Sequence, residues 1–337
     1  MRIHTPRLVG GLLATGLALS VAACGRNDDA GGTASGGTAG GWEFTDDMGT
    51  TVSLDETPTR IAGLNDVLSS LWNYGIEPVA SWGQTSAAED VAFEGKDLDD
   101  VAVVGTSYGQ IDLEALAAAQ PDLVVAAVYP TDTEGTLDAD APLYGFESIE
   151  QQEQVAEIAP IVAIAWRGSA ADVIERTAEL AESLGADFDS PDLAQMREDY
   201  DAASAELTEA AASGVSVLPV YASPSDGWYM GIAEDDPSLH LYADLGVNFV
   251  DVRQGEDFFW HSVGWEEVPD FPSDVILYSL RFSMTPEEYA AQPTAALLPA
   301  VAEGQLYPWK YIGMDYQAQA AYMAELAGYL TGAEKLT

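Results

Sequence analysis

Cysteine is nearly absent: the one thiol in 337 residues is Cys24, close to the start of the chain. Disulfides, thiolate metal sites and a cysteine nucleophile are therefore excluded from everything that follows it. Basic residues are scarce as well, 12 against 56 acidic ones, and Lys occurs at only three positions. Such a surface repels phosphate backbones and anionic headgroups, which excludes nucleic acid as a partner. The acidity is spread along the whole chain, so it marks no site, and adaptation to salt or solubility accounts for it. Beyond the first two dozen residues no apolar run is long enough for a membrane-spanning helix.

What is present begins with a leader. Arg2 and Arg7 precede Leu8 to Leu19, an apolar stretch too short to cross a bilayer, and Val21-Ala22-Ala23-Cys24 follows. This is the pattern of a secretory signal peptide over residues 1–23. Its end resembles the lipobox of bacterial lipoproteins, which implies a mature chain starting at a lipidated Cys24. Several acyl chains on one residue hold more firmly than a single one, so an extracytoplasmic protein anchored to the cell membrane is expected. Residues 24–41, rich in Gly, Ser, Thr, Ala and Asp, read as a flexible linker.

From Trp42 onward strand-like and helix-like stretches alternate, which predicts an α/β fold with parallel strands. Strands are expected near Arg60–Leu64, Pro78–Ser81, Val101–Val104, Asp122–Tyr129 and Val247–Val252. Helices are expected over Asp66–Tyr74, Ile111–Ala119, Ser169–Leu184, Pro191–Ala212 and Leu239–Leu245. A short motif recurs. Asp112-Leu113-Glu114-Ala115-Leu116 leads to a strand opening at Asp122, and Gly264-Trp265-Glu266-Glu267-Val268 leads to one opening at Asp274. In both cases a Glu stands eight residues before the strand's Asp, and a large polar side chain, Tyr129 or Arg281, stands seven residues after it. The repeat predicts two related lobes: residues 42–168, an inter-lobe helix over 169–187, and residues 188–337.

Pro58-Thr59-Arg60-Ile61, Gly75-Ile76-Glu77-Pro78-Val79, Ile111-Asp112-Leu113-Glu114, Gln120-Pro121-Asp122-Leu123-Val124 and Val301-Ala302-Glu303-Gly304-Gln305-Leu306-Tyr307 occur in this order. Together they resemble the helical-backbone (class III) solute-binding proteins of ABC importers that carry ferric siderophores, cobalamin and haem. The resemblance covers nearly all of the mature chain. It implies two α/β lobes joined by a long helix, a ligand cleft between them, and monomeric delivery of cargo to a permease dimer. Ligand clefts at domain junctions, facing the carboxyl ends of parallel strands, agree with general rules.

Within that family the ferric hydroxamate binders are the nearest pattern. Asp257-Phe258-Phe259-Trp260-His261-Ser262-Val263 is similar to their segment in which a Trp lines the cleft, and Tyr129 stands where they place a Tyr on the ligand. They also carry an Arg in the stretch that here reads Val104-Gly105-Thr106-Ser107-Tyr108-Gly109-Gln110. None is present, so Arg167 and Arg281 are candidates to replace it. A ferric siderophore already saturates its iron with hard oxygens, so no cofactor and no metal ligand is expected of the protein, only aromatic walls and a few donors. The candidate ligand-binding residues are Trp82, Tyr108, Tyr129, Arg167, Trp228, Trp260, His261 and Arg281. By the same resemblance Glu114 and Glu266 dock one lobe each on the permease.

Haem, cobalamin or ferric ion stay open as cargo on the same fold. A different class is also open. Gly105-Thr106-Ser107-Tyr108-Gly109 matches the G-x-S-x-G nucleophile elbow, with acids and then His240 or His261 downstream, as in a secreted serine hydrolase using Ser107. Against it, Gln110-Ile111-Asp112-Leu113 starts the helix several residues late, and no Gly-rich oxyanion loop precedes it.

Overall fold

A computed structural model describes residues 41–337 apart from 226 and 282. The expected signal peptide, Cys24 and the expected linker up to residue 40 lie outside the described residues. No helix among the described residues is long and apolar enough to cross a membrane.

The first lobe opens with a hairpin, β1 (Trp42–Thr45) and β2 (Thr51–Leu54). Then come β3 (Ile61–Leu64), α1 (Asn65–Asn73), β4 (Pro78–Trp82), β5 (Ala102–Val103), α2 (Leu113–Ala119), β6 (Leu123–Val128), α3 (Ile149–Ala156) and β7 (Ile161–Ala165). The sheet runs β5-β4-β3-β6-β7 and every pairing is parallel. β6 is apolar at all six positions and buried at all six, as a central strand covered on both faces requires. The turn between β1 and β2 covers the outer edge of β7. Asp46 and Asp47 accept hydrogen bonds from the Ala163 and Ala165 amides, and the Asp47 amide donates to the Ala163 carbonyl.

Two helices follow, α4 (Ala170–Ser183) and α5 (Pro191–Ala211). α5 has Ser190 as its cap and Pro191 in its first turn, where proline's missing N–H costs nothing. At 21 residues it is roughly 32 Å long. The stretch 169–187 expected as one strut is thus α4 and a turn. α4 packs on α1, β1 and β7 of the first lobe and on α6 (Pro237–Asp244) of the second. α5 then carries the chain to the second sheet, so the connection is shared between two helices.

The second lobe comprises β8 (Ser216–Ser223), β9 (Gly227–Gly231), α6, β10 (Asn248–Phe249), β11 (Trp260–Val263), β12 (Val275–Ser279), α7 (Pro286–Ala291), α8 (Pro299–Ala302), β13 (Leu306–Trp309) and α9 (Tyr316–Gly332). Its sheet runs β11-β9-β8-β12-β13, with β10 beside the start of β8. β10, β12 and β13 are parallel to β8, whereas β9 runs antiparallel to both of its neighbours, β8 and β11. That ribbon shortens the expected strand 247–252 to two residues. α9 lies along α5 and is pinned to α1 at its start. The Met314 and Tyr316 amides donate to Ser70 and Tyr74, and Asp315 accepts from Asn73 at 3.0 Å while capping the Ala318 amide.

The repeat is structural. Asp122, before β6, accepts from the Thr59 and Arg60 amides that lead into β3. Asp274, before β12, accepts from the Ser216 amide that opens β8, at 2.7 Å, and from those of Leu336 and Thr337. Burial pushes the Asp274 carboxyl up, but these donors outweigh it and hold the group at about 2. Tyr129 and Arg281 accordingly leave equivalent central strands at their carboxyl ends, facing the space between the lobes.

Candidate cleft between the lobes

Tyr129 is the centre of an aromatic cluster. Its ring meets Tyr144 edge-on at 4.8 Å, Trp166 at 5.6 Å and, from the other lobe, Phe259 at 5.6 Å. Tyr108 extends the wall by packing on Tyr144, and at 48% exposure it is the most open ring of the group. Gln84 donates to the Tyr144 hydroxyl. On the second lobe Trp260 packs on Tyr221 and Trp309, and Trp309 on Tyr311. Burial raises the hydroxyl pKa of Tyr129, and of Tyr311 to about 12, so both stay protonated donors at neutral pH.

Phe259 holds this arrangement in an unusual conformation. Its φ of 59° is left-handed, rare for a bulky residue, and such strain is retained where surroundings over-determine it. Here they do. Its amide donates to Asp235, its carbonyl accepts from the Ile232 amide, and Arg253 binds Asp235 and the Asp257 carbonyl from beside it.

Beneath the aromatic rings an ion cluster joins the lobes. Arg281 Nη2 lies 2.8 Å from Asp66 Oδ1, at the start of α1, and 2.6 Å from Asp90 Oδ2. All three are buried, Arg281 to 7% exposure. Burial works against the guanidinium's charge, but the two carboxylates outweigh it and raise the Arg281 pKa. Burial raises the Asp66 pKa despite Arg281. Among the described residues, Arg281 Nε and Asp66 Oδ2 have no hydrogen-bond partner.

The eight candidates from sequence separate accordingly. Tyr108, Tyr129 and Trp260 lie in the aromatic walls. Arg281 lies between the lobes but is committed to Asp66 and Asp90, and so corrects the expectation of a free donor. Arg167 is exposed and donates to the Gly135 carbonyl at 2.9 Å. It lines a neighbouring pocket of about 580 Å³ with Asp47, Glu134, Asp172 and Glu234. Three expectations place side chains in the wrong environment. Trp82, 1% exposed, packs edge-on against Phe146 in the first lobe's core. Trp228, fully buried, packs against Trp265 and Tyr289, because strand alternation in β9 turns it inward and Tyr229 outward. His261 alternates inward in β11 in the same way and binds Asp257 at 2.6 Å. Sequence reasoning missed Tyr144, Phe259, Tyr311, Asp66 and Asp90. The signal available was the position of Asp66 just after a strand's carboxyl end, where clefts form.

Glu114, in the first turn of α2, and Glu266, in the turn before β12, are both exposed. The G-x-S-x-G segment is not an elbow: α2 starts at Leu113, six residues beyond Ser107. Its glycines have other reasons. A Cβ on Gly105 would sit 2.1 Å from the Gln110 carbonyl oxygen, and Gly109 has φ of 70° against Glu147.

Comparison with known proteins agrees with this geometry. No curated protein matches the chain. Among solved structures, DesE, a ferric-siderophore receptor protein from Streptomyces coelicolor, is 30% identical with a TM-score of 0.78, over 88% of this chain and 100% of that one. The siderophore periplasmic binding protein from the fuscachelin gene cluster of Thermobifida fusca is 24% identical over 82% of this chain and 97% of its own, with a TM-score of 0.60. FhuD2 from Staphylococcus aureus, solved with bound ferrioxamine B, shares the fold at 17% identity over 81% and 98%, with a TM-score of 0.56. The model of the periplasmic binding protein family matches residues 75–311, a family of binding proteins rather than enzymes, and the chain belongs to it.

Proposed function

We propose that the chain captures a ferric siderophore, of the hydroxamate type, between its two lobes and delivers it to the permease dimer of an ABC importer. The observation that carries this reading is the aromatic cluster at the junction of the lobes, where Tyr108, Tyr129, Tyr144 and Trp166 of the first meet Phe259 of the second, next in the chain to Trp260. A coordinatively saturated ferric complex needs apolar faces and a few fixed donors, which these rings and the protonated tyrosine hydroxyls supply. Cys24 would tether the protein outside the cytoplasm, and Glu114 and Glu266 would meet one permease subunit each. The match to DesE supports the cargo class.

Tryptophan-fluorescence titration of the purified protein with ferric hydroxamates tests the reading. Tyr129→Ala and Trp260→Ala should each cost about 1–3 kcal/mol of binding free energy, through lost ring contact and, at Tyr129, a lost donor. Unchanged affinity in both folded variants would refute the cleft assignment. A visible spectrum and saturable binding only with haem or cobalamin would keep the fold and change the cargo.

A further inference from the structure

Every guanidinium at the heart of the cleft is outnumbered by carboxylates. Arg281 faces Asp66 and Asp90. Arg253, which holds the Phe259 loop, faces Asp235 at 2.9 Å and Glu234 at 3.3 Å. Arg167, at the rim, has no carboxylate within ion-pair distance among the described residues but shares its pocket with Asp47, Glu134, Asp172 and Glu234. An anionic ligand needs an uncommitted cation or donor fork to replace its lost water. Arg281 cannot serve, because its charge is already cancelled by two buried acids that lie on the opposite lobe. Asp66 Oδ2 and Arg281 Nε are buried there without a hydrogen-bond partner among the described residues. The free oxygen there belongs to an acid.

We propose that Asp66 and Asp90 set the charge class of the cargo: by cancelling Arg281 they keep the cleft floor acidic, so that it admits a neutral or cationic ferric complex and rejects a polyanionic one. The inference rests on the siderophore reading above and narrows it. Like-charge juxtaposition in a desolvated site is strongly unfavourable, and the low local dielectric leaves little screening.

The test is a titration of the purified protein with two ferric tris-chelates of similar bulk. One is ferrioxamine B, a monocationic hydroxamate; the other is a trianionic tris-catecholate. The wild-type protein should prefer the hydroxamate by at least about 100-fold. In Asp66→Asn/Asp90→Asn, Arg281 is released and that ratio should shrink at least about tenfold. Because this variant leaves a buried unpaired cation, the triple variant Asp66→Asn/Asp90→Asn/Arg281→Met is measured beside it. With no buried charge left, it should also narrow the ratio, by a smaller factor. Equal wild-type affinity for the two chelates, or an unchanged ratio in whichever variants melt cooperatively, overturns the charge filter. Binding of neither chelate by the wild type overturns the siderophore reading itself.

Discussion

The two lobes share a strand order but not a strand direction. Both sheets place their first strand beside a later one at the centre, β3 with β6 and β8 with β12, and open β6 and β12 with an aspartate that ties the pair together. The five-stranded sheet of the first lobe stays wholly parallel and offers the cleft its strand ends and the start of α1. The second inserts the antiparallel ribbon β9 and β11, which brings Trp260 and the strained Phe259 toward the other lobe. A doubly wound unit can therefore be specialised without disturbing the strands that hold it. What changes is the material on the edge; what persists is the pairing at the centre.

The largest expected effect concerns Glu114 and Glu266, one exposed on each lobe and equivalent in the proposed docking. Glu114→Lys/Glu266→Lys should abolish transporter-dependent uptake while cargo titration is unaltered, because exposed charges steer and orient association. Single reversals should give partial defects that deepen with salt. Normal uptake by the double variant would leave these two as ordinary surface acids and end the comparison at the sheet.

A smaller effect separates the paired aspartates. Asp274→Ala strands the amides of Ser216, Leu336 and Thr337 and should cost about 3–4 kcal/mol in urea denaturation, against about 1–2 kcal/mol for the more exposed Asp122→Ala. Its depressed carboxyl also fixes a sign. The stability it confers is complete above roughly pH 4 and fades as pH falls through about 2. Equal losses at the two positions would mean that the second lobe gains nothing from its additional donors.

Much of this was legible beforehand. Continuous apolar runs marked β6 and β12, Pro191 marked the start of α5, and the Glu–Asp spacing exposed the repeat. The failures share a cause. Trp228 and His261 lie on strands whose inward phase depends on antiparallel pairing, which Ser223-Pro224-Ser225-Asp226-Gly227 signals for β8 and β9 but does not phase for β11, and Trp82 ends its strand beneath a later segment. Arg281 finds Asp66 and Asp90 at sequence separations of 215 and 191 residues. No local pattern encodes an ion pair of that kind.

The smallest effect lies where the lobes are joined. Burial raises the Asp315 carboxyl to about 6, outweighing its hydrogen bonds from the Ala318 amide and Asn73, the reverse of Asp274. Above that pH the folded protein carries a buried charge that the unfolded chain hydrates freely. Stability should therefore rise as pH falls through about 6 toward 4, and this increment should vanish in Asp315→Asn, as melting temperatures across that range will reveal. An identical slope in the variant would assign the trend to general charge relief instead.

The β1–β2 turn laid along β7 bears on a different matter, how many molecules can share a small area. An open strand edge is a template on which a second chain can zip, and crowding favours such growth. Asp46 and Asp47 occupy the Ala163 and Ala165 amides with carboxylates, so that this edge offers a neighbour negative charge where a zipper would begin. A second chain could extend the first sheet from this edge only by displacing those carboxylates.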